Sequence, residues 1–528
     1  MRIRTARLAG ILAAACLAAA ALAQSAPPAD LDAWVARAMR EFEVPGAAVA
    51  IVKDGKVTLA KGYGVRRLGD AGPVDRHTLF GIASNTKAFT VAALAILAGE
   101  GKLSWDDPVQ KHLPAFQLYD PYVSRELTVR DLLCHRSGLG LGAGDLLFWP
   151  ETDVTREQVV AAARYIRPAS SLRSRYAYNN LMFVVAGQVA AAASGQSWDD
   201  FVCERIFAPL GMAETRTGSA GPEPEANVAA PHSRGWRLEG PLTPITATRD
   251  QTWAAAAGIR TNVTDLPKWV IAQLNAGQAD GGRRLWSEAA SREMWSAQIP
   301  LRIPAPSGPL QALTPHFSAY GLGWSLRDYR GRKIVSHGGA LGGMVSTVVM
   351  VPEEKLGIIV LTNQEESGAL SSIVYHVLDH YLGLPATDWI AAFRASRQET
   401  LAKAAAEEKK QAEGRAAGSK PSLDLTRYAG EYADPWYGKV NIRMEDGRLA
   451  LSMSRTPAMV GEMAHWQYDT FVVHWRDKTI PDAFLTFSLD RRGAIEQARM
   501  AATSSLADFS FDYQDLLLTP VAKPEPRP

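Results

Sequence analysis

The sequence predicts an α+β domain followed by a small all-β domain. Three observations carry this reading. Strand patterns stand at both ends of residues 44–362 with helical patterns between them, the composition shifts to Ala, Glu, Lys, Arg and Gln over 387–422, and short strands recur from 423 onward. A chain of 528 residues is also too long for one ordinary core, so boundaries must exist.

Residues 31–40 place apolar side chains at helical spacing, and 44–52 form an apolar run. Asp54-Gly55 then separates that run from 56–63, a strong short-range signal for a β-hairpin. Residues 88–99 read as a nearly all-apolar helix, and the pattern stays mainly helical to about 300, broken by glycine- and proline-rich loops at 138–144 and 218–224. Strand patterns return at 323–326, 333–336, 345–351 and 357–362, and a helix over 369–382 closes the first domain on its sheet.

The segment 387–422 reads as an exposed helix running into a flexible linker. Beyond it, strands at 428–432, 438–443, 448–452, 471–475 and 483–488 suggest a small antiparallel barrel or sandwich. The division expected is 1–23 leader, 24–386 first domain, 387–422 linker, 423–519 β domain and 520–528 disordered tail.

Residues 1–23 combine a basic start, an apolar run from 8 to 22 and an Ala21-Leu22-Ala23 cleavage site, the pattern of a secretory signal peptide too short for a membrane span. Export to a periplasm or the exterior is expected. Cys16 lies in that run without the leucine three positions earlier that a lipoprotein signal carries, which disfavours a lipid anchor. Beyond the leader only Cys134 and Cys203 remain, which excludes a thiolate zinc cluster, and they read as two separate buried thiols.

A hydrophobic share of 47% with 21% charged residues excludes a disordered chain and a multi-span membrane protein. The formal charge of +2 and the lack of basic runs interleaved with aromatics exclude a nucleic-acid groove. His376 and His380 have a zinc-like spacing, but Val377 stands where a metalloprotease helix has glutamate and no third ligand is apparent. No metal and no cofactor are expected, and the expected partner is a small molecule or peptide.

The chemistry-bearing stretch is Gly81-Ile-Ala-Ser84-Asn-Thr-Lys87, directly before the apolar helix. A serine at a helix start and a lysine three residues on share one face, so the amine can sit beside the hydroxyl. Alone, the pair reads equally well as an N-cap and a surface lysine. Two further stretches follow in order. Tyr176-Ala-Tyr178-Asn-Asn180 offers a phenol to move the serine's proton and an amide to hold the lysine or a carbonyl. Ser336-His337-Gly338-Gly339-Ala340 offers two glycines for close substrate approach, and an Ala340 N–H that can join that of Ser84 as an oxyanion hole.

These three stretches resemble the S-x-x-K, Y-x-N and H-x-G motifs of serine β-lactamases and penicillin-binding proteins, in the branch that carries tyrosine in the second motif. The resemblance covers roughly residues 30–385, with support from 127–139 and from Tyr320-Gly-Leu-Gly-Trp324, similar to the strand before the third motif. It implies a β-lactamase-like fold, an antiparallel sheet flanked by helices plus a helical subdomain, here followed by a barrel or lipocalin-like domain. It implies Ser84 as nucleophile, Lys87 and Tyr178 as proton carriers, Asn180 as a substrate or lysine contact, and His337, Gly338, Gly339 and Ala340 as substrate contacts.

His337 replaces the third-motif lysine of dedicated β-lactamases, so a partly charged, pH-dependent anchor for carboxylates is expected. Peptidase or esterase activity on small or D-residue-containing peptides is favoured over β-lactamase activity or a sensor that is acylated without turnover. Trp436, Tyr437 and Trp466 are candidates for limiting access to the serine.

Overall fold

The computed structural model describes residues 26–218, 227–248, 251–305 and 307–521. The expected leader lies outside the described residues, as do residues 522–528 of the expected tail, but Pro520 belongs to the last strand.

Helix α1 (Leu31–Glu41) precedes the hairpin of β1 (Gly46–Lys53) and β2 (Lys56–Gly64), which turns at Asp54 and Gly55, both with positive φ. The long excursion between this hairpin and the rest of the sheet carries three helices that matter here: α2 (Thr86–Gly99), α3 (Leu181–Ser194) and α4 (Ala254–Ala257). The chain then returns as β3 (Ile299–Pro300), β4 (Ser318–Tyr320), β5 (Ser325–Tyr329), β6 (Arg332–Leu341), β7 (Met344–Val351) and β8 (Leu356–Thr362). One antiparallel sheet results, in the order β2-β1-β8-β7-β6-β5-β4-β3. Its closing pair joins the two ends of the domain, with Val49 opposite Val360.

Both faces of this sheet are covered, so β1 reads as a continuous apolar run instead of an alternating one. Ala48, Ala50 and Val52 face the core shared with α2 and α3, while Val49 and Ile51 face α1 and α5 (Ser367–Tyr381). The inner helices α2 and α3 have no polar stripe because neither has a solvent face, and every residue from 86 to 97 of α2 is buried. The four alanines of α4 let it press close to both, and a Cβ on Gly187 would meet the Ala255 Cβ at 2.6 Å.

The strand expected over 323–326 begins only at Ser325, because residues 321–324 form a turn. Gly321 N donates to the Trp324 carbonyl at 2.8 Å, and Gly323 takes φ +69, where its missing Cβ would strike Val91 of α2 at 2.7 Å. Cys134 is buried as expected, but Cys203 is exposed, and both are free.

Helix α6 (Trp389–Glu413) is anchored at its start, where Trp389 and Ile390 are buried and Trp389 Nε1 donates to Asp379 at 2.7 Å. The segment after it is tied down, contrary to the expected flexible linker. Arg415 Nε donates to the Trp466 carbonyl at 2.6 Å, and Ser422 N to Asp469 at 2.9 Å.

The C-terminal domain is a closed eight-stranded antiparallel barrel. Its strands are β9 (Gly430–Asp434), β10 (Gly438–Glu445), β11 (Arg448–Met453), β12 (Val460–Gln467), β13 (Thr470–Trp475), β14 (Ala483–Leu489), β15 (Ile495–Ala502) and β16 (Leu517–Pro520). Tyr432, Val440, Leu451, Phe471, Val473 and Leu485 are among the buried side chains that fill it. Closure leaves no open sheet edge. β12, β15 and β16 are additional to the strands expected.

Candidate active site

Ser84 sits in a short 3-10 turn, Ala83–Asn85, that feeds directly into α2. The turn is pinned from two sides. Ile82 N donates to the Ile259 carbonyl at 3.0 Å, and Ile259 N donates back to Thr86 Oγ1 at 3.1 Å. From the sheet, Ser346 Oγ donates to the Ile82 carbonyl at 2.7 Å and accepts from Asn85 Nδ2 at 2.9 Å. Ala83 is held at φ +47, a costly conformation for a residue with a Cβ, and these bonds sustain it.

Strand β6 lies hard against this turn. A Cβ on Gly339 would stand 2.1 Å from the Ile82 carbonyl oxygen, 2.7 Å from Ser346 Oγ and 2.9 Å from the Ala83 Cβ. Gly338 is exposed, and a Cβ there would meet only the Ser346 carbonyl at 3.8 Å. The sequence reading gave both glycines to the substrate. The geometry divides them: Gly339 lets the strand close on the serine turn, and Gly338 keeps the outer side open. Ala340, one residue on, is also exposed.

Lys87, in the first turn of α2, is fully buried. Its Nζ donates to Ser84 Oγ at 2.9 Å, to Asn180 Oδ1 at 2.7 Å and to the Ala256 carbonyl of α4 at 3.0 Å. Burial pushes its ammonium down to about 7, against the pull of the Asp145 charge. Of the two roles expected for Asn180, the structure shows the lysine contact.

The half-buried Tyr178 completes this group: its hydroxyl shares a hydrogen bond with Ser84, and Lys87 Nζ lies 4.8 Å from the centre of its ring. Burial pushes the phenol well above its ordinary value, the Ser84 bond opposing, so it stays protonated. Its backbone is steadied by Gly142 N, which donates to the Tyr178 carbonyl at 2.9 Å. His135 packs on its ring at 4.2 Å between centroids and accepts from Asn179 N through Nδ1 at 3.0 Å.

His337 corrects an expectation. It is buried on β6, its Nε2 2.9 Å from the Tyr320 hydroxyl and its Nδ1 2.6 Å from the Gly338 carbonyl. Burial first, and the charge of Lys87 second, push its imidazole down to about 3. A neutral, buried ring differs from the partly charged carboxylate anchor that its position in the motif suggested.

Three site residues escaped the sequence reading. His135 and Tyr320 stood inside stretches noted only as supporting patterns. Asp145 stood just beyond a glycine-rich loop; it is buried, and it accepts from Asn180 Nδ2 at 2.7 Å. A carboxylate following Gly138–Gly144 is the available signal, since such a loop can bring a charge close to packed backbone. Trp436 and Tyr437 are buried in the seam between barrel and helical side, beside Leu147, Val154 and Gln158; the barrel side chain that packs on the site is Phe509, its ring 5.8 Å from that of Tyr178.

His376 bonds to Asp30 and stacks on Trp34, and His380 bonds to the Ala26 carbonyl. Among the described residues no group of three or more His, Cys, Asp or Glu could hold a metal ion, and no helix is long and apolar enough to cross a membrane.

Comparison with known proteins agrees with this architecture. The beta-lactamase family model matches residues 31–382, and a domain of unknown function, DUF3471, matches 414–520. The unguisins hydrolase ungD of Aspergillus violaceofuscus is 28% identical over 465 residues, 81% of this chain and 79% of that protein. Protein flp of Staphylococcus aureus is 27% identical over 341 residues, 63% of this chain and 62% of its own. The octameric penicillin-binding protein homologue from Pyrococcus abyssi shares the fold with a TM-score of 0.58 at 22% identity, covering 93% of this chain and 99% of that one. SurE does so at 0.52 and 20%, covering 93% and 99%. With its matched region spanning most of the chain, the protein belongs to the beta-lactamase family and carries a C-terminal eight-stranded barrel.

Proposed function

We propose that the protein is an exported serine hydrolase that cleaves amide or ester bonds through an acyl-enzyme on Ser84, with small or D-residue-containing peptides and related esters as substrates. The observation that carries this is the Lys87 amine, fully buried, 2.9 Å from Ser84 Oγ and with its pKa near 7. Serine needs an adjacent base, and a lysine serves only when a large fraction of it is neutral at working pH.

The opposed pKa shifts support one division of roles. Lys87 takes the Ser84 proton as Oγ bonds to the substrate carbonyl carbon. Tyr178, held as a phenol, donates to the departing nitrogen or oxygen as its bond to that carbon breaks. The proton on Lys87 then restores Tyr178, and water releases the acyl group by the reverse transfers. The N–H groups of Ser84 and Ala340 would receive the developing oxyanion, with Gly338 keeping the approach open.

A neutral His337 counts against dedicated β-lactamase chemistry, because the substrate carboxylate would meet no cation there. The hydrolase name of the Aspergillus relative supports hydrolysis as the activity class. The leader pattern at 1–23 supports export. A fluorophosphonate probe tests the nucleophile: one adduct on the peptide containing Ser84 is expected, and an adduct on another residue would overturn the assignment.

A further inference from the structure

The connection between the last two barrel strands, residues 503–516, leaves the barrel and enters the helical side of the site. Phe509 lies over Gly142, where a Cβ would meet the Phe509 carbonyl oxygen at 2.4 Å. Ser510 Oγ donates to Asp145 Oδ2 at 2.8 Å, the oxygen that also accepts from Asn180 Nδ2. Asp512 accepts from Gly144 N at 2.6 Å and from Leu146 N at 3.0 Å, so the barrel grips the backbone on either side of Asp145.

We propose that Asp145 is a positioning residue for the Ser84–Lys87 pair, held in place by Ser510 and Asp512 of the barrel, so that the C-terminal domain is a working part of the active site. This rests on the reading of Ser84 and Lys87 as nucleophile and base.

Two consequences follow from the geometry. The first concerns Asn180, whose amide can face either way, while only its oxygen can accept from Lys87. An ionised Asp145 accepts and does not donate, so in that form it leaves one orientation in which both neighbours are satisfied, with nitrogen toward Asp145 and oxygen toward Lys87.

The second concerns charge. An ionised Asp145 one amide away favours a protonated Lys87, and a neutral one favours the free amine. Burial raises the Asp145 carboxyl to about 7, and the bonds from Asn180 and Ser510 pull it down, so a hydroxyl supplied by the barrel bears on the balance. The groups facing Asp145 are Lys87 and Tyr178 from the helical side and Asp508 and Asp512 from the barrel connection. Beyond Lys87 stand His135 and His337, both held neutral by burial.

The test uses the full chain, a small ester, and rates normalised to the fraction of protein that labels with fluorophosphonate. Asp145→Asn keeps the shape and removes the charge. It should lower kcat on the order of 10-fold to 100-fold with KM nearly unchanged, and move the acid limb of kcat/KM about one unit lower, because Lys87 loses its proton more readily. Ser510→Ala, at a partly exposed position, should move the limb the same way by roughly 0.3–0.5 unit, and Ser510→Thr should restore it.

Unmoved limbs in both Asp145→Asn and Ser510→Ala would overturn the proposal. A limb that moves only in Asp145→Asn would overturn the barrel's part in it. Ser84→Ala is the control for the underlying reading: an inactive Ser84→Ala with unmoved limbs defeats this inference alone, whereas an active one defeats the reading beneath it.

Discussion

The Tyr320 hydroxyl and His337 Nε2 lie 2.9 Å apart in a buried pair, and this contact makes the third-motif histidine a fixed neutral element of the cleft wall. Its folded pKa of about 3 lies below the ordinary value of 6.5, so between those values the unfolded chain binds the extra proton. The stability it contributes is therefore present above pH 6.5 and lost as pH falls toward 3. At pH 5 the loss from this group amounts to about 2 kcal/mol. Thermal melts between pH 7.5 and 4.5 should fall less steeply in His337→Asn than in the wild type, and parallel curves would show that the ring is not held neutral.

The same burial sets an expectation for substrates. KM for a carboxylate-bearing peptide and for a neutral ester should keep a constant ratio from pH 5.5 to 8, because His337 does not change charge there. A ratio that rises through pH 6.5 would restore the carboxylate anchor.

The two third-motif glycines should separate cleanly. Gly339→Ala drives a methyl into the Ile82 carbonyl and the Ala83 Cβ, and should cost about 1–3 kcal/mol and much of the labelling at Ser84. Gly338→Ala makes only an ordinary contact with the Ser346 carbonyl and should leave the melting temperature nearly unchanged while raising KM for bulky substrates. Equal effects of the two changes in thermal melts and kinetics would contradict the division.

Lys87 and Tyr178 should also part company in a pH profile. The acid limb of kcat/KM should fall near 7 and report Lys87, whose amine must be neutral to take the serine proton. Tyr178→Phe should reduce kcat on the order of 10²–10⁴ without moving that limb beyond a few tenths of a unit. A limb that disappears in Tyr178→Phe would make the tyrosine the first base.

At the seam between the domains, exposed and buried contacts should differ in weight. Arg455 pairs with Asp153 at 2.5 Å on the surface, and Arg455→Ala should cost less than about 1 kcal/mol. Asp512 holds two buried backbone N–H groups of the other domain, and Asp512→Ala leaves both without a partner, at about 1–3 kcal/mol. Denaturant melts that rank the two the other way would contradict the seam described.

The elements legible in the sequence were those whose pattern is local. The Asp54-Gly55 hairpin, the apolar α2 and the returning strands 344–351 and 356–362 all announce themselves within a dozen residues. Ser84, Lys87, Tyr178 and Asn180 came together as the motif order implied. Strand β15 did not, because Ile-Glu-Gln-Ala-Arg-Met-Ala-Ala has the composition of a helix and is extended only because the barrel closes on it. Residues 323 and 324 read as the start of the strand 323–326, while close packing of Gly323 against Val91 of α2 demands a turn there. The bond from Ser510 to Asp145 spans 365 positions, and no local pattern reports a contact of that range.

Trapping the acyl group on Ser84 during turnover distinguishes a covalent intermediate from direct attack by water. Acid quenching within the first turnover of a slowly released ester, followed by peptide mass mapping, should place the substrate's acyl mass on the peptide containing Ser84. Ser84→Ala should show no such mass and less than about a thousandth of the wild-type rate. An acyl mass on any other residue, or turnover in Ser84→Ala above a tenth of wild type, would contradict the account.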